Sequence, residues 1–131
     1  MMKDEKPEEL RVRTKAFALR IIRLYSALPK QPVAAVLGRQ LLRSGTSVGA
    51  HYREAFRAKS RPDFISKMEG ALQELDETLY WIELLADSGS IQAKQLQPLL
   101  NETDELISIF VTIVKRTKEN LTRWPVPLHR S

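Results

Sequence analysis

The sequence predicts an all-α protein, an up-down-up-down antiparallel four-helix bundle, on three observations. Four segments repeat apolar residues at the three- and four-residue spacing of one helix face, and none alternates as a strand does. Proline and glycine fall mostly between these segments. The connections are short, which favours antiparallel neighbours. We therefore expect one bundle over residues 11–120, with flexible segments at residues 1–10 and 121–131.

The first predicted helix ends at Pro29, because proline cannot continue a helix. Its core face is lined by Phe17, Ile21, Leu24 and Leu28. A second apolar stripe, roughly opposite the first, consists of Val12, Leu19 and Ile22. A helix with two apolar stripes usually has two neighbours, so these three residues are candidates for an interface with another subunit. The alternative is that they are scattered exposed aliphatic residues.

The second predicted helix runs from Pro32 to about Ala58. Its predicted buried face consists of Val33, Leu37, Leu41, Ser44, Val48, Tyr52 and Ala55. The segment 44–50 contains two glycines, each of which costs a helix up to about 1 kcal/mol. Close approach by a neighbouring backbone would compensate for that cost. The alternative is that the helix breaks or kinks there.

The third predicted helix begins at a strong start signal, in which Ser60 is the N-cap, Pro62 lies in the first turn and Asp63 faces the free amides. Its core stripe consists of Phe64, Met68, Ala71, Leu72, Leu75, Leu79, Ile82 and Ala86. From Asp63 to Asp87 the segment holds seven acidic residues and one basic residue, Lys67. The rest of its surface is therefore acidic.

The fourth predicted helix follows a turn in which Gly89 ends the third, and it extends from about Gln92 to Glu119 with Pro98 in or near its first turn. Its predicted core residues are Leu96, Leu100, Thr103, Ile107, Phe110 and Val114. The segment 124–127, Trp-Pro-Val-Pro, cannot continue a helix and is predicted to be a mobile or docking extension.

Positive charge is concentrated in residues 33–61, which hold six basic residues and one acid, an excess equal to the +5 of the whole chain. Viewed along the axis of the second helix, four of these six basic residues lie within an angle of about 80°, on the side opposite its core stripe. The candidate nucleic-acid-binding residues are Arg39, Arg43, Arg53, Arg57, Lys59 and Arg61. They would bind phosphates without reading bases, or they would pair with the acidic third helix of a neighbouring subunit.

Aromatic residues give a weaker signal. Tyr80, Trp81 and Leu84 lie away from the core stripe of the third helix, with acids around them. This environment is more typical of a protein interface than of a platform for base stacking, so we treat them as candidate oligomer-interface residues. Partial burial under the C-terminal tail is the alternative.

Enzymatic chemistry has little support in this chain. The absence of cysteine excludes disulfides, thiolate metal sites and a cysteine nucleophile. His51 and His129 are the two histidines, and neither HExxH nor the Glu-x-x-His motif of di-iron bundles is present. His51 is predicted to be packed or at an interface, and the Gly45/Gly49 pair lacks the lysine of a phosphate loop. We therefore expect no enzymatic activity, no cofactor and no metal.

The location is expected to be cytoplasmic. No apolar run approaches the length of a membrane span, and the N-terminal residues mix acids and bases where a signal peptide would be apolar. A membrane partner is not expected.

Four segments resemble the four-helix-bundle family encoded by intervening sequences of 23S rRNA genes, a ribosomal-protein-like family: FALRIIRLY (17–25), GRQLLR (38–43), SVGAHYREAFRAKSRPDF (47–64) and ALQELDETLYWIELL (71–85). The resemblance covers residues 14–118. It departs from the family at residues 51–55, His-Tyr-Arg-Glu-Ala, where many relatives have Asn-x-Ala-Glu-Gly, and at Leu42, where a second arginine is common.

The resemblance implies a homopentameric ring without known catalytic activity. The family is similar to the accessory variability determinants of diversity-generating retroelements, which are basic pentamers that act with a reverse transcriptase and nucleic acid. The resemblance therefore implies as partners further copies of this chain, RNA or DNA, and a protein such as a reverse transcriptase.

These observations lead to one functional hypothesis and one alternative. The first is a non-enzymatic, homo-oligomeric four-helix bundle whose basic surface binds RNA or DNA, as an accessory to an rRNA or reverse-transcriptase complex. The alternative is a protein-interaction scaffold whose charge stripes serve self-assembly alone.

Overall fold

A computed structural model describes residues 7–119, and this part of the chain forms four α-helices and no strand. The helices are α1 (Pro7–Ala27), α2 (Pro32–Phe56), α3 (Arg61–Asp87) and α4 (Ala93–Lys118). Each helix packs against the next one along the chain, α1 on α2, α2 on α3 and α3 on α4. The prediction of an all-helical chain with four helices is confirmed.

Most of the predicted flexible ends, together with the 124–127 segment and His129, lie outside the described residues. α1 nevertheless begins at Pro7, four residues before the expected start of the bundle. Leu10, which we had placed in the flexible N-terminal segment, is fully buried in the core. Within residues 7–119, no helix has the length and apolar character needed to cross a membrane.

The start of α3 is capped as predicted. The Asp63 amide donates a hydrogen bond to Ser60 Oγ at 3.1 Å, and the Lys59 amide donates to Asp63 Oδ2 at 3.1 Å. The hydrogen bond from the Lys59 amide, helped by the nearby Lys67 ammonium, lowers the pKa of Asp63. At the other end of α3, Gly89 has a φ of 76°, a conformation that favours glycine and allows the chain to turn.

Removal of the cap is expected to destabilise the protein. Ser60→Ala leaves the Asp63 amide without its acceptor, and we expect a loss of about 1 kcal/mol in the free energy of unfolding, measured by urea denaturation. Ser66→Ala is the matched control, because Ser66 is an exposed residue inside the same helix. Equal stabilities of the two variants would contradict a capping role for Ser60.

α2 is continuous through its glycine-rich segment, and the neighbour that approaches it is α1. A Cβ atom added at Gly45 would lie 2.6 Å from Ile21 Cγ1, and one added at Gly49 would lie 3.3 Å from Thr14 Oγ1. The expected close approach is therefore confirmed, and the alternative of a broken helix is wrong.

The predicted core of α2 is wrong at its first residue. Val33 is 55% exposed, whereas Ala34 and Gly38 are buried in the same part of the helix. The reason is steric, since Gly38 lies against Tyr25 and Leu28 at the end of α1, where a larger residue would not fit without a shift. The spacing of large apolar residues predicted that Val33 is buried, because such a pattern does not register small residues as part of the buried face.

Polar contacts connect the helices around this core. Thr78 Oγ1 donates a buried hydrogen bond to Ser44 Oγ at 2.8 Å, joining α3 to α2. Arg13 Nε and Nη2 donate to the two carboxylate oxygens of Glu102, each at 2.8 Å, and so join α1 to α4. A bidentate pair of this kind holds both side chains in one geometry, so it links α1 to α4 at this point.

Candidate nucleic-acid interface

Basic residues dominate the first half of the described chain. Between Leu10 and Arg53 the sequence holds nine basic residues and no acidic one. The positive surface therefore extends over α1 and α2, beyond the segment 33–61 in which the sequence analysis placed it.

Arg43 is engaged within its own chain. Its guanidinium pairs with Glu74 at 3.3 Å and with Glu77, both on α3. The sequence left open that this arginine pairs with the acidic third helix of a neighbouring subunit. In the structure Arg43 pairs with α3 of its own chain. Arg43 is half exposed, so its two ion pairs contribute little stability, but they neutralise its charge.

Arg39 is separated from the other candidates. It is exposed in the second turn of α2, next to Gly38, which contacts the end of α1. Arg39 precedes Arg53 by 14 residues, which corresponds to about 21 Å along a helix.

The remaining candidates converge where α2 ends and α3 begins. Arg53 lies in the last turn of α2, Arg57 is its C-cap, and Lys59 and Arg61 flank the N-cap of α3. We call these four residues, Arg53, Arg57, Lys59 and Arg61, the basic end. None of the four makes an ion pair with another described residue, and Arg53, Arg57 and Lys59 are exposed. Their charge is therefore available to an anionic partner.

Two shallow grooves border the basic end. The first, which we call the α1 groove, has a volume of about 420 Å³ and is lined by Arg11, Val12, Lys15, Ala16, Leu19 and Arg53. The second, of about 580 Å³, is lined by Glu54, Arg57, Lys59, Asp63 and Lys67. α4 also delivers basic residues in its last turn, of which Lys118 pairs with Glu69 at 2.9 Å.

Arg11, Lys15 and Lys67 were missed by the sequence analysis as members of this surface. Arg11 lies over the Phe56 ring, 5.5 Å from its centroid, an arrangement that brings α1 to the end of α2. The absence of acids between residues 10 and 53 is the signal that points to Arg11 and Lys15, whereas nothing in the sequence shows which helix ends lie together.

His51 is packed between α2 and α3. Its Nε2 lies 3.6 Å from Glu74 Oε2, and its Nδ1 is buried near Gly70, where an added Cβ would lie 3.1 Å away. The prediction of a packed histidine is confirmed. Across residues 7–119, no three His, Asp or Glu side chains come together in a way that could hold a metal ion.

The candidate interface residues lie on two different helices. Val12 is 67% exposed on α1, where Leu19 and Ile22 are also exposed. On α3 Tyr80 is 54% exposed, while Trp81 is partly buried with its ring 5.2 Å from that of Tyr80. Leu84 is also partly buried. The structure therefore presents apolar surface at both positions.

Comparisons with known proteins give a consistent result. The model of the 23S rRNA-intervening sequence protein family matches residues 8–112. A crystal structure of a protein of unknown function from the S23 ribosomal protein family of Bacteroides thetaiotaomicron is 39% identical, with a TM-score of 0.78 over 83% of this chain and 97% of that one. None of the curated proteins matches the chain significantly.

Proposed function

The chain belongs to the 23S rRNA-intervening sequence protein family, and we propose that it is a non-enzymatic, self-associating four-helix bundle whose basic end binds the phosphate backbone of RNA or DNA. The observation that carries the proposal is the basic end itself, four cationic side chains of which none forms an ion pair within 4.0 Å of a carboxylate among residues 7–119. Positive charge concentrated in this way raises the local electrostatic potential, which attracts a polyanion such as a phosphate backbone.

The side chains of the basic end suit phosphates better than bases. Arg53 and Arg57 are one helical turn apart, and guanidinium groups form bidentate hydrogen bonds with phosphate oxygens. Tyr80, the exposed aromatic residue of the described chain, lies on the acidic helix α3, away from the basic end. Binding is therefore expected to depend on salt and to be largely independent of sequence.

The assembly has further features that we propose. Each connection between the helices spans only four or five residues, 28–31, 57–60 and 88–92, which supports an up-down-up-down antiparallel order. The exposed aliphatic residues of α1 support self-association, and family membership suggests a pentameric ring. The family description names 23S rRNA, so an rRNA complex is one proposed setting, and a reverse-transcriptase complex is the other.

Reversing two charges of the basic end is the direct test. Binding of the whole chain to duplex RNA of arbitrary sequence is measured over a range of salt concentrations. We expect Arg57→Glu with Lys59→Glu to lower the affinity about 10- to 100-fold and to reduce the slope of log affinity against log salt by about two.

Lys30→Glu with Arg39→Glu is the matched control, because it reverses one lysine and one arginine, both exposed, at the other end of α2. We expect it to change affinity only a few-fold. No binding by the unaltered chain at low salt would refute the proposal. Equal losses in the two double variants would refute the assignment to the basic end.

A protein-interaction scaffold is the second candidate function, favoured by the exposed aliphatic residues of α1 and by the acidic surface of α3. In that case the chain would self-associate without binding RNA at any salt concentration. The same titration therefore separates the two functions.

A further inference from the structure

The outward face of α1 is aliphatic at its centre and basic at its edges. Val12, Ala16 and Leu19 repeat at spacings of four and three residues and are exposed along the α1 groove. Arg11 and Lys15 line the same groove, and Arg53 of α2 is the third basic residue there. No acidic residue lines this groove. An occupant of the groove should therefore be acidic and partly apolar.

The outward face of α3 has the opposite composition. Asp76, Tyr80, Glu83 and Asp87 follow each other at spacings of four, three and four residues, and all four are exposed. The acids Asp76, Glu83 and Asp87 make no ion pair with a described residue. The other acids of α3 have partners within the chain. Asp63 accepts a hydrogen bond from the Lys59 amide and pairs with Lys67. Glu69 pairs with Lys118, and Glu74 and Glu77 pair with Arg43.

We propose that these two faces meet between copies, so that the α1 groove of one subunit takes the acidic face of α3 of the next. The proposal rests on the proposed self-association and names its contact. Both faces repeat every three or four residues, over about two turns on α1 and about three on α3, so one helix can lie along the other. The Tyr80 ring would cover the aliphatic stripe while Asp76 and Glu83 approach Arg11 and Lys15, which removes apolar surface from water and pairs unpaired charges.

The contact has a geometric consequence. A face on α1 that binds a different face on α3 forms a heterologous interface, and repetition of such an interface closes into a ring when the rotation permits. Arg53 lines the groove and therefore faces this contact, whereas the other three residues of the basic end, Arg57, Lys59 and Arg61, take no part in it and remain available for nucleic acid. The pairing therefore divides the basic surface between assembly and phosphate binding.

Charge reversal with complementation tests the contact. The mass of the full chain in solution is measured by light scattering. Asp76→Lys with Glu83→Lys should reduce the mass to that of a single chain, and so should Arg11→Glu with Lys15→Glu. Asp104→Lys with Glu119→Lys is the control, because it reverses one exposed acid of α4 and the exposed acid at its C-cap, neither of which makes an ion pair with a described residue, and it should keep the oligomer.

Mixing the two interface variants supplies the decisive result. In a mixture, the reversed α1 face of one variant matches the reversed α3 face of the other, so mass above a single chain should return. A variant that fails to fold could not recover in this way. Variants that keep the mass of the unaltered chain, or a mixture that stays monomeric, would overturn the proposal and leave the α1 groove to a different acidic partner.

The outcome is independent of RNA binding. Asp76→Asn with Glu83→Gln removes the two acidic charges without adding cations and leaves the basic end intact, so the RNA titration of that variant still tests phosphate binding when assembly is lost. If the unaltered chain is a monomer, the contact and the ring both fail, while RNA binding remains an open and separate measurement of the basic end.

Discussion

Phe110→Ala is expected to lower the free energy of unfolding by about 3–5 kcal/mol, the range measured when a buried aromatic side chain is removed from a core. Phe110 is fully buried in α4, and its ring centroid lies 5.5 Å from that of Tyr52 in α2. The substitution removes the ring contact and leaves a cavity that the surrounding helices cannot fill. Domains of this size are stable by only about 5–15 kcal/mol, so the loss is a large fraction of the total stability.

The control for this substitution is the next residue along α4. Val111 is 47% exposed, so Val111→Ala deletes apolar atoms from the same helix without opening a cavity. We expect a change within about 0.5 kcal/mol, which alanine's helix propensity should make slightly favourable. Urea denaturation of the three proteins gives the comparison. Similar stabilities for the two variants would mean that the Phe110 ring does not hold α4 to α2.

The aromatic contacts also connect stability to the basic end. Tyr52 contacts Phe56 in the next turn of α2, with ring centroids 5.0 Å apart, and Phe56 supports the Arg11 guanidinium. Phe110 thus fixes the part of α2 from which Arg53 and Arg57 project. A stability defect at Phe110 should therefore weaken RNA binding as the protein unfolds, whereas Arg57→Glu with Lys59→Glu should weaken it in a fully folded protein.

The boundaries of α3 were predictable because they depend on local chemistry. Ser60, Pro62 and Asp63 define the start of α3 through hydrogen bonds and backbone angles that involve only a few neighbouring residues. Gly89 ends the same helix for an equally local reason. Val33 shows the limit of this approach, since its exposure is decided by how Gly38 meets α1, a contact between distant parts of the chain.

The candidate site was predictable only in part, for a related reason. A helical wheel places Arg43 beside Arg39, Arg53 and Arg57. It does not show that, of these four arginines, Arg43 forms ion pairs with Glu74 and Glu77 of α3 and the others do not. The ion pair between Arg13 and Glu102 joins residues 89 positions apart and leaves no local pattern. Arg11 and Lys15 could have been included from charge alone, because the sequence shows that residues 10–53 contain no acid.

Gly45→Val is expected to have an effect of similar size, about 3 kcal/mol or more, because it places atoms where α1 already packs. A Cβ atom at residue 45 would lie 2.6 Å from Ile21 Cγ1, 2.9 Å from its Cγ2 and 3.0 Å from its Cδ1, all shorter than a normal contact. Ile21 is fully buried and branched at Cβ, so it has few other rotamers, and α1 itself would have to move. The better helix propensity of valine offsets less than about 1 kcal/mol of this cost.

Further variants show whether the loss of stability comes from steric overlap with α1 or from a general requirement for glycine in α2. In Gly38→Ala the new Cβ atom would lie 2.5 Å from the terminal Cδ1 atom of Leu28. Because that atom can rotate away near the end of α1, we expect a smaller loss in the free energy of unfolding than for Gly45→Ala. Ile21→Ala should relieve the overlap, so Gly45→Val with Ile21→Ala should be more stable than the sum of the two single losses predicts. If the losses measured by urea denaturation simply add, Gly45 and Ile21 do not meet, and the close approach of α1 to α2 has another cause.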